Sequence, residues 1–411
     1  PRRRLQREVI AATNAWFNPG LKGLGKGERS IANWDEDAVT MAVEAARDAL
    51  GSTGRDGDVI QGLYLASTSL PFQDRQNAGI VAEALHLGHS LRTLDVTGSQ
   101  RAGTSALVTA LQAVAGGGGP VLVVGAEKRR TKAASQLELT TGDGAAALLI
   151  AQGGGAARLL GHATETVDFV DHYRGQNQAF DYVWEERWVR DEGYLEIVPK
   201  AVVRALDAAA VEPGAVTHFC FPSAARRVAA MLASKLGIPA ASVRDNLQGT
   251  CGEAGAAHPL LMLVHALEQA RPGDKVLVTG FGQGCDALVV EAGERLAAAT
   301  PLLGIAGHLT RRREETNYQR YLAINDLVTI ERGLRAEVDK QTGLTTLYRN
   351  KDMLLGFIGG RCRTCETPQY PKSNVCANPT CNAVDSQDDY PFSERTATLN
   401  SHTADRLTYS P

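Results

Sequence analysis

The chain has no excess of charge of either sign: 43 lysines and arginines face 46 aspartates and glutamates in 411 residues, a formal net charge of −3. Without a broad basic field, nucleic acid is not expected as a partner. Long apolar runs are also missing. The longest, around 259–267, is interrupted by His265 and is far shorter than the roughly 20 residues that span a bilayer, so no membrane partner is expected. No secretory leader is visible, and because the sequence opens at Pro1-Arg2-Arg3-Arg4 instead of methionine, further N-terminal residues are expected to precede it. Cysteine is sparse through most of the chain. Cys220, Cys251 and Cys285 are scattered without disulfide-like spacing, so a reducing cytoplasm is the expected location.

What is present begins with a cluster. Cys362, Cys365, Cys376 and Cys381 read C-x2-C-x10-C-x4-C, two thiolate knuckles that can close one tetrahedral zinc site. Gly359 and Gly360 precede the first pair, and Pro368, Pro371 and Pro379 stiffen the turns, as a small ribbon without its own core needs. All four ligands come from the chain, so the zinc is expected to be structural, with no position open for catalytic water. Arg129, Arg130 and Lys132, and later Arg311, Arg312 and Arg313, are local basic clusters. They read as solvated faces, with the phosphates of a nucleotide-bearing substrate as the other reading.

A chain with 44% hydrophobic residues can bury a large core divided over two or three domains. Apolar strand-like runs alternate with helix-period segments over the first 295 residues or so, which predicts layered α/β architecture. Helices are expected over 35–50, 105–114, 201–210, 224–236 and 259–270, and strands over 63–66, 121–125 and 218–221. The turn and strand of Gly119-Pro120-Val121-Leu122-Val123-Val124-Gly125 return in Pro272-Gly273-Asp274-Lys275-Val276-Leu277-Val278-Thr279-Gly280. Each is followed by a turn of Gly, Asp and Ala, Gly142-Asp143-Gly144-Ala145 and Gly284-Cys285-Asp286-Ala287, so two related halves are expected. Beyond 303 the sequence turns charged and helix-favouring, as in 311–320 and 330–340, and Thr396-Ala397-Thr398-Leu399 alternates like a strand.

The duplicated halves, the Gly142-Asp143-Gly144-Ala145 turn and the stretch Asp95-Val96-Thr97-Gly98-Ser99-Gln100-Arg101-Ala102-Gly103-Thr104 together resemble the thiolase superfamily, and within it the 3-hydroxy-3-methylglutaryl-CoA synthase branch. The cysteine ribbon resembles the zinc-ribbon/OB-fold proteins that accompany acyl-CoA thiolases and aldolases. The resemblance implies an α/β fold of five layers (αβαβα) built from duplicated halves at 1–160 and 161–300. A helical connector at 301–358 would follow, then a rubredoxin-like zinc ribbon with the start of an OB-fold at 359–411. It also implies coenzyme A as part of the substrate, a homodimer, and a possible partner thiolase or other enzyme of an acyl-CoA pathway.

In that family a cysteine nucleophile sits at a helix N-terminus, where backbone N–H groups favour the thiolate. Here Gln100 occupies the matching place, and an amide cannot form an acyl-thioester. Cys220 or Phe221 stands where the synthases carry a histidine, Gly252 or Glu253 where they carry an oxyanion-hole asparagine, and Ser67-Thr68-Ser69 where a general base is expected. The candidate catalytic residues are therefore Gln100, as an enolate-stabilising amide, with Glu253, His258 and, as a less favoured nucleophile, Cys251. His258 also reads as a packed residue capping the helix from Pro259, Cys251 as a small buried hydrophobe, and Gln100 as a mark of lost function. Ser99, Arg226 and Gly284 are assigned to the CoA-binding face. The expected activity is aldol or retro-aldol chemistry next to a CoA thioester, by a lyase or transferase without a cysteine nucleophile. The alternatives are decarboxylation or acyl transfer from a β-ketoacyl or malonyl thioester, and a non-catalytic acyl-CoA-binding partner of a thiolase.

Overall fold

The computed structural model describes residues 1–53, 59–225, 227–298, 303–330, 343–393 and 395–403. They divide into two compact units, one of residues 1–78 with 89–329 and one of 79–88 with 330–411.

In the first unit, β1 (Arg3–Gln6) and β2 (Glu28–Ile31) form an antiparallel pair. Two larger sheets follow. The first contains β3 (Gly62–Ala66), β4 (Arg92–Val96), β5 (Val121–Glu127) and β6 (Gly144–Ile150) in the order β4-β3-β5-β6. The second half opens with β7 (Ala157–Thr166) and a short hairpin, β8 (His172–Tyr173) with β9 (Tyr182–Val183). It continues through β10 (His218–Cys220), β11 (Lys275–Phe281) and β12 (Gly284–Ala292), with the sheet order β10-β11-β12-β7. In both halves a buried strand runs antiparallel to its successor across a turn, β5 to β6 and β11 to β12, which is the sequence repeat made visible.

The helices Ala102–Ala115 and His258–Gln269 pack against each other and against strands of both sheets, forming the central layer. Their small residues allow this. An added Cβ at Gly103 would lie 2.0 Å from the Ala256 carbonyl oxygen, so only glycine permits the 102–115 helix to approach the 255–257 turn so closely. Outside, the Ala38–Thr53 helix covers β5 and β6, while Leu195–Ala209 covers β7 and β12 with a stripe of Ile197, Val198, Ala201, Val202, Ala205 and Leu206. The result is the expected five-layer α/β arrangement. Strands covered on both faces read as continuous apolar runs, and all seven residues of β5 are buried.

One asymmetry separates the halves: β7 flanks β12, but no described strand flanks the far edge of β6. A cavity of about 1240 Å³ runs beside that edge, lined by Met41, Leu111, Leu148, Ile150 and Leu261 among others.

Two local expectations are corrected. Within the helix-favouring stretch 311–320, Arg313–Glu315 is a strand, β13, that joins β1 in parallel; cross-strand pairing overrides local propensity there. The Thr396–Leu399 alternation forms no strand, since its residues have no ladder partner among those described. The stretch 331–340, and with it most of the second helix-favouring run, lies outside the described residues.

The second unit is built on β14 (Ile358–Cys362), β15 (Pro368–Gln369) and β16 (Gln387–Pro391), in the order β15-β14-β16. Phe357, Tyr370, Tyr390 and Phe392 touch edge to face or tilted, but Phe357 and Tyr370 remain 45% and 41% exposed, so this cluster is not a closed core.

Candidate functional site

The bend from β4 into the 102–115 helix carries the site's first residue. Ser99 Oγ donates to the Gly282 carbonyl (2.8 Å), and the Thr104 and Ser105 hydroxyls donate to Asp286 Oδ2 (2.9 and 2.7 Å). Asp286 comes from the Gly284-Cys285-Asp286-Ala287 stretch, which lies within β12 and not in the expected turn because it pairs with both β11 and β7, and it anchors the helix that starts after Gln100. Its counterpart in the first half, Asp143, accepts from the Arg129 N–H (3.0 Å) and the Ala32 N–H (2.7 Å). The two repeated aspartates serve as hubs on opposite sides of the site.

Gln100 reaches into a charged cluster. With its amide oriented to satisfy its neighbours, the oxygen accepts from both terminal nitrogens of Arg129 (2.9 Å each) and lies 2.9 Å from His172 Nε2. The –NH2 is then directed away from Arg129. Arg129, which follows β5, is buried; its Nε pairs with Asp181 at 2.8 Å and its NH1 with Glu253 at 2.9 Å. Burial alone would lower its pKa, but the carboxylates of Glu253, Asp181 and Glu127 outweigh that and hold it above the usual arginine value. The basic cluster at 129–132 is therefore corrected at its first member: Arg129 is an interior ion-pair hub, not a solvated face.

Glu127 ends β5 and fills the place beside Ser67-Thr68-Ser69 where no carboxylate was found in sequence. It accepts from the Thr68 N–H (3.1 Å) and the Ala256 N–H (3.2 Å). Burial raises its pKa, and Arg129 works against that rise.

The hairpin β8–β9 supplies the opposite wall. Asp181 pairs with Arg129 and, at 3.4 Å, with Arg174. His172 stands between two oxygens, with Nε2 facing Gln100 and Nδ1 lying 3.6 Å from Asp171 Oδ1. Neither His172 Nδ1 nor Asp171 Oδ1 has a hydrogen-bond partner, although both are buried.

Of the candidates named from sequence, Gln100 and Glu253 are brought together through Arg129. His258 is fully buried with both ring nitrogens committed to the main chain: Nδ1 accepts from the Ala254 N–H (3.0 Å) and Nε2 donates to the Asn246 carbonyl (2.8 Å). Burial lowers its pKa, opposed by Glu253, so the ring stays neutral and braces the 246–258 loop. Cys251 is buried with Sγ 3.3 Å from the Leu247 carbonyl oxygen, and burial pushes its thiol up to about 11. Cys220 is pushed up to about 12 for the same reason, and Cys285 is raised likewise. Cys220 and Phe221, the two residues weighed for the place where a histidine was sought, are both buried, with Phe221 packed edge-on against Tyr194 at 5.2 Å.

Ser99 borders Gln100. Gly284 has a φ of +117° and would place a Cβ 2.0 Å from the Glu165 carbonyl oxygen, so its backbone geometry and the tight β12–β7 pairing account for glycine there. Arg226 lies outside the described residues. Gln100, His172 and Glu253 are not among the walls of the large cavity beside β6, whereas Asp143 and Cys251 are.

Sequence reasoning missed Glu127, His172 and Asp181. Glu127 alone left a trace, as a carboxylate ending an otherwise apolar strand.

In the second unit the four Sγ atoms lie within 4.8 Å of one another, with Cys365–Cys376 at 3.5 Å and Cys362–Cys381 at 3.9 Å. A tetrahedral ion with metal–sulfur bonds of about 2.3 Å separates its sulfurs by roughly 3.8 Å, so the donor set fits one such ion. Ser386 Oγ, 3.2 Å from Cys362 Sγ, and the Asn378 N–H, 3.4 Å from Cys376 Sγ, would orient the ligands.

Comparison with known proteins places this geometry. The C-terminal domain of 3-oxoacyl-[acyl-carrier-protein (ACP)] synthase III matches residues 206–291. A crystal structure of HMG-CoA synthase complexed with CoA superimposes with a TM-score of 0.68 at 20% identity, covering 83% of this chain and 92% of that one. The 3-oxoacyl-(acyl carrier protein) synthase III of Pseudomonas aeruginosa gives 0.61 at 23% identity, covering 71% and 95%. The fold, with its helix-start residue between duplicated halves, is that of the thiolase superfamily. Along most of its length the chain is similar to hydroxymethylglutaryl-CoA synthases: 26% identical to that of Caldivirga maquilingensis over 81% of this chain and 97% of the relative, and 28% to that of Aeropyrum pernix over 80% and 92%.

Proposed function

We propose that this chain is an acyl-CoA enzyme that makes or breaks a carbon–carbon bond next to the thioester by aldol-type chemistry, without an acyl-cysteine stage. The observation that carries the reading is the state of Gln100. It takes the helix-start position, and Arg129 holds its oxygen, so the –NH2 is the donor offered to a thioester oxygen as that oxygen gains enolate charge. Cys220, Cys251 and Cys285 support the same reading, since each is buried and held as a thiol. The hydroxymethylglutaryl-CoA synthase relatives support CoA thioesters as the substrate class.

In this mechanism Arg129 orients the amide, while Glu253 and Asp181 neutralise and fix Arg129. We also place a structural zinc ion on Cys362, Cys365, Cys376 and Cys381, where it would supply folding energy to the ribbon and take no part in the reaction.

The test is to incubate the full chain with pools of short β-hydroxyacyl-CoA and β-ketoacyl-CoA and follow products by mass spectrometry. Cleavage of the hydroxyacyl pool, or its formation from carbonyl and acyl-CoA, is expected. Gln100→Ala should lower that turnover by about 10²-fold or more. Loss of CO2 from the ketoacyl pool alone would move the assignment to a decarboxylase, and binding without turnover to a silent acyl-CoA carrier.

A further inference from the structure

We propose that His172 is the proton-transferring residue of this site, with Asp171 as its positioning residue. The inference rests on the reaction class above and adds the acid–base group that this class requires.

The positions that a histidine would fill by resemblance are closed to the role. Phe221 is packed among aromatic rings, and His258 spends both nitrogens on main-chain groups. His172 is the imidazole that meets Gln100. Both of its ring nitrogens face oxygens, the Gln100 amide oxygen at 2.9 Å and Asp171 Oδ1 at 3.6 Å. Because Arg129 fixes the amide oxygen toward the ring, Nε2 meets Gln100 as a donor, and a second proton on Nδ1 would meet the Asp171 carboxylate. Buried polar atoms are almost always paired, so the orphaned Nδ1 and the orphaned Oδ1 beside it mark a pair held apart by less than the reach of a small rotation. Asp171 thus suits the place of a carboxylate that steadies an imidazolium as it forms.

The step balances without any co-reactant. Cleavage starts from the neutral ring with its one proton on Nδ1, toward Asp171: Nε2 takes the β-hydroxyl proton and so becomes the donor that faces Gln100, the O–H electrons become the second bond of a carbonyl, and the Cα–Cβ pair moves onto the thioester as an enolate. The imidazolium then returns the proton to Cα. In the joining direction the same Nε2 proton goes to the carbonyl oxygen that becomes the hydroxyl. Nothing is oxidised or reduced.

The experiment compares the full chain with its His172→Ala and Asp171→Asn variants on 3-hydroxybutyryl-CoA and 3-hydroxy-3-methylglutaryl-CoA. His172→Ala is expected to lower kcat by about 10²-fold or more, with KM little changed, and added imidazole is expected to restore part of the loss. Asp171→Asn should lower kcat in the same direction. A His172→Ala variant that keeps its turnover, or that loses turnover while folded and is not rescued by imidazole, overturns the proposal. A second readout needs no substrate. In protein labelled with ¹⁵N-histidine, the signal removed by His172→Ala should report a proton on Nδ1 that Asp171→Asn perturbs. A bare Nδ1 indifferent to Asp171 overturns the proposal. If the wild-type chain turns over neither thioester, the reaction class fails, and the nitrogen spectrum still decides whether Asp171 holds His172.

Discussion

Stripping the metal from the four-cysteine cluster is expected to unfold the ribbon. The argument is one of alternatives: β14, β15 and β16 are short, and Phe357 and Tyr370 keep nearly half their surface in water. Hydrophobic burial on this scale does not offset the entropy of ordering the 358–393 segment. Binding of a structural zinc contributes on the order of 10–16 kcal/mol in comparable small domains, which dwarfs what the aromatic cluster supplies. Treatment with a strong chelator, or Cys362→Ser or Cys376→Ser, should therefore make residues 358–393 sensitive to limited proteolysis. Metal analysis of the untreated protein should find one zinc per chain. A ribbon that resists protease with its metal removed would refute this account.

Arg129→Met is expected to be the most damaging single change in the first unit. The methionine fills much of the same volume but leaves Glu253 without its partner and Asp181 with Arg174 alone, and it releases the Gln100 amide. Removing one member of a buried ion pair costs about 3–5 kcal/mol, because the remaining charge stays desolvated. The effect should depend on pH in a definite direction. Glu127 already has a folded-state pKa raised by burial, with Arg129 opposing the rise. A carboxyl raised in the folded state contributes stability below its unfolded value, and that contribution is lost as pH rises through the folded value. Without Arg129 the rise is larger, so the deficit should be greatest at neutral pH and shrink in mild acid. Urea unfolding of the wild type and the variant at both conditions checks this, and adding Glu253→Gln to Arg129→Met should recover part of the loss. A deficit that grew in acid would contradict the assignment of these carboxylates.

The fold was legible where sequence and structure share a short range. β5 and β11, each followed by a structural aspartate, announced the duplication because a strand buried on both faces must be apolar throughout. Arg313–Glu315 was hidden, since its strand character comes from β1, more than three hundred residues away. The site was half legible. Gln100 and Glu253 occupy positions that the resemblance singles out, but their connection runs through Arg129, whose neighbours Arg130 and Lys132 disguised it as surface. His172 and Asp181 sit on a hairpin with two-residue strands, too short for any periodicity to show which face turns inward. Cooperation among segments near 100, 129, 172–181 and 253 is a property of the packed chain.

The buried thiols also change how the molecule meets electrophiles. Alkylating reagents consume thiolates, and Cys220, Cys251 and Cys285 are enclosed and kept protonated. At neutral pH the folded αβαβα body presents no sulfur that such a reagent can use. A thiol adduct on the folded chain is therefore expected at the ribbon cysteines, and with an ion seated on them it would appear only once that ion is lost.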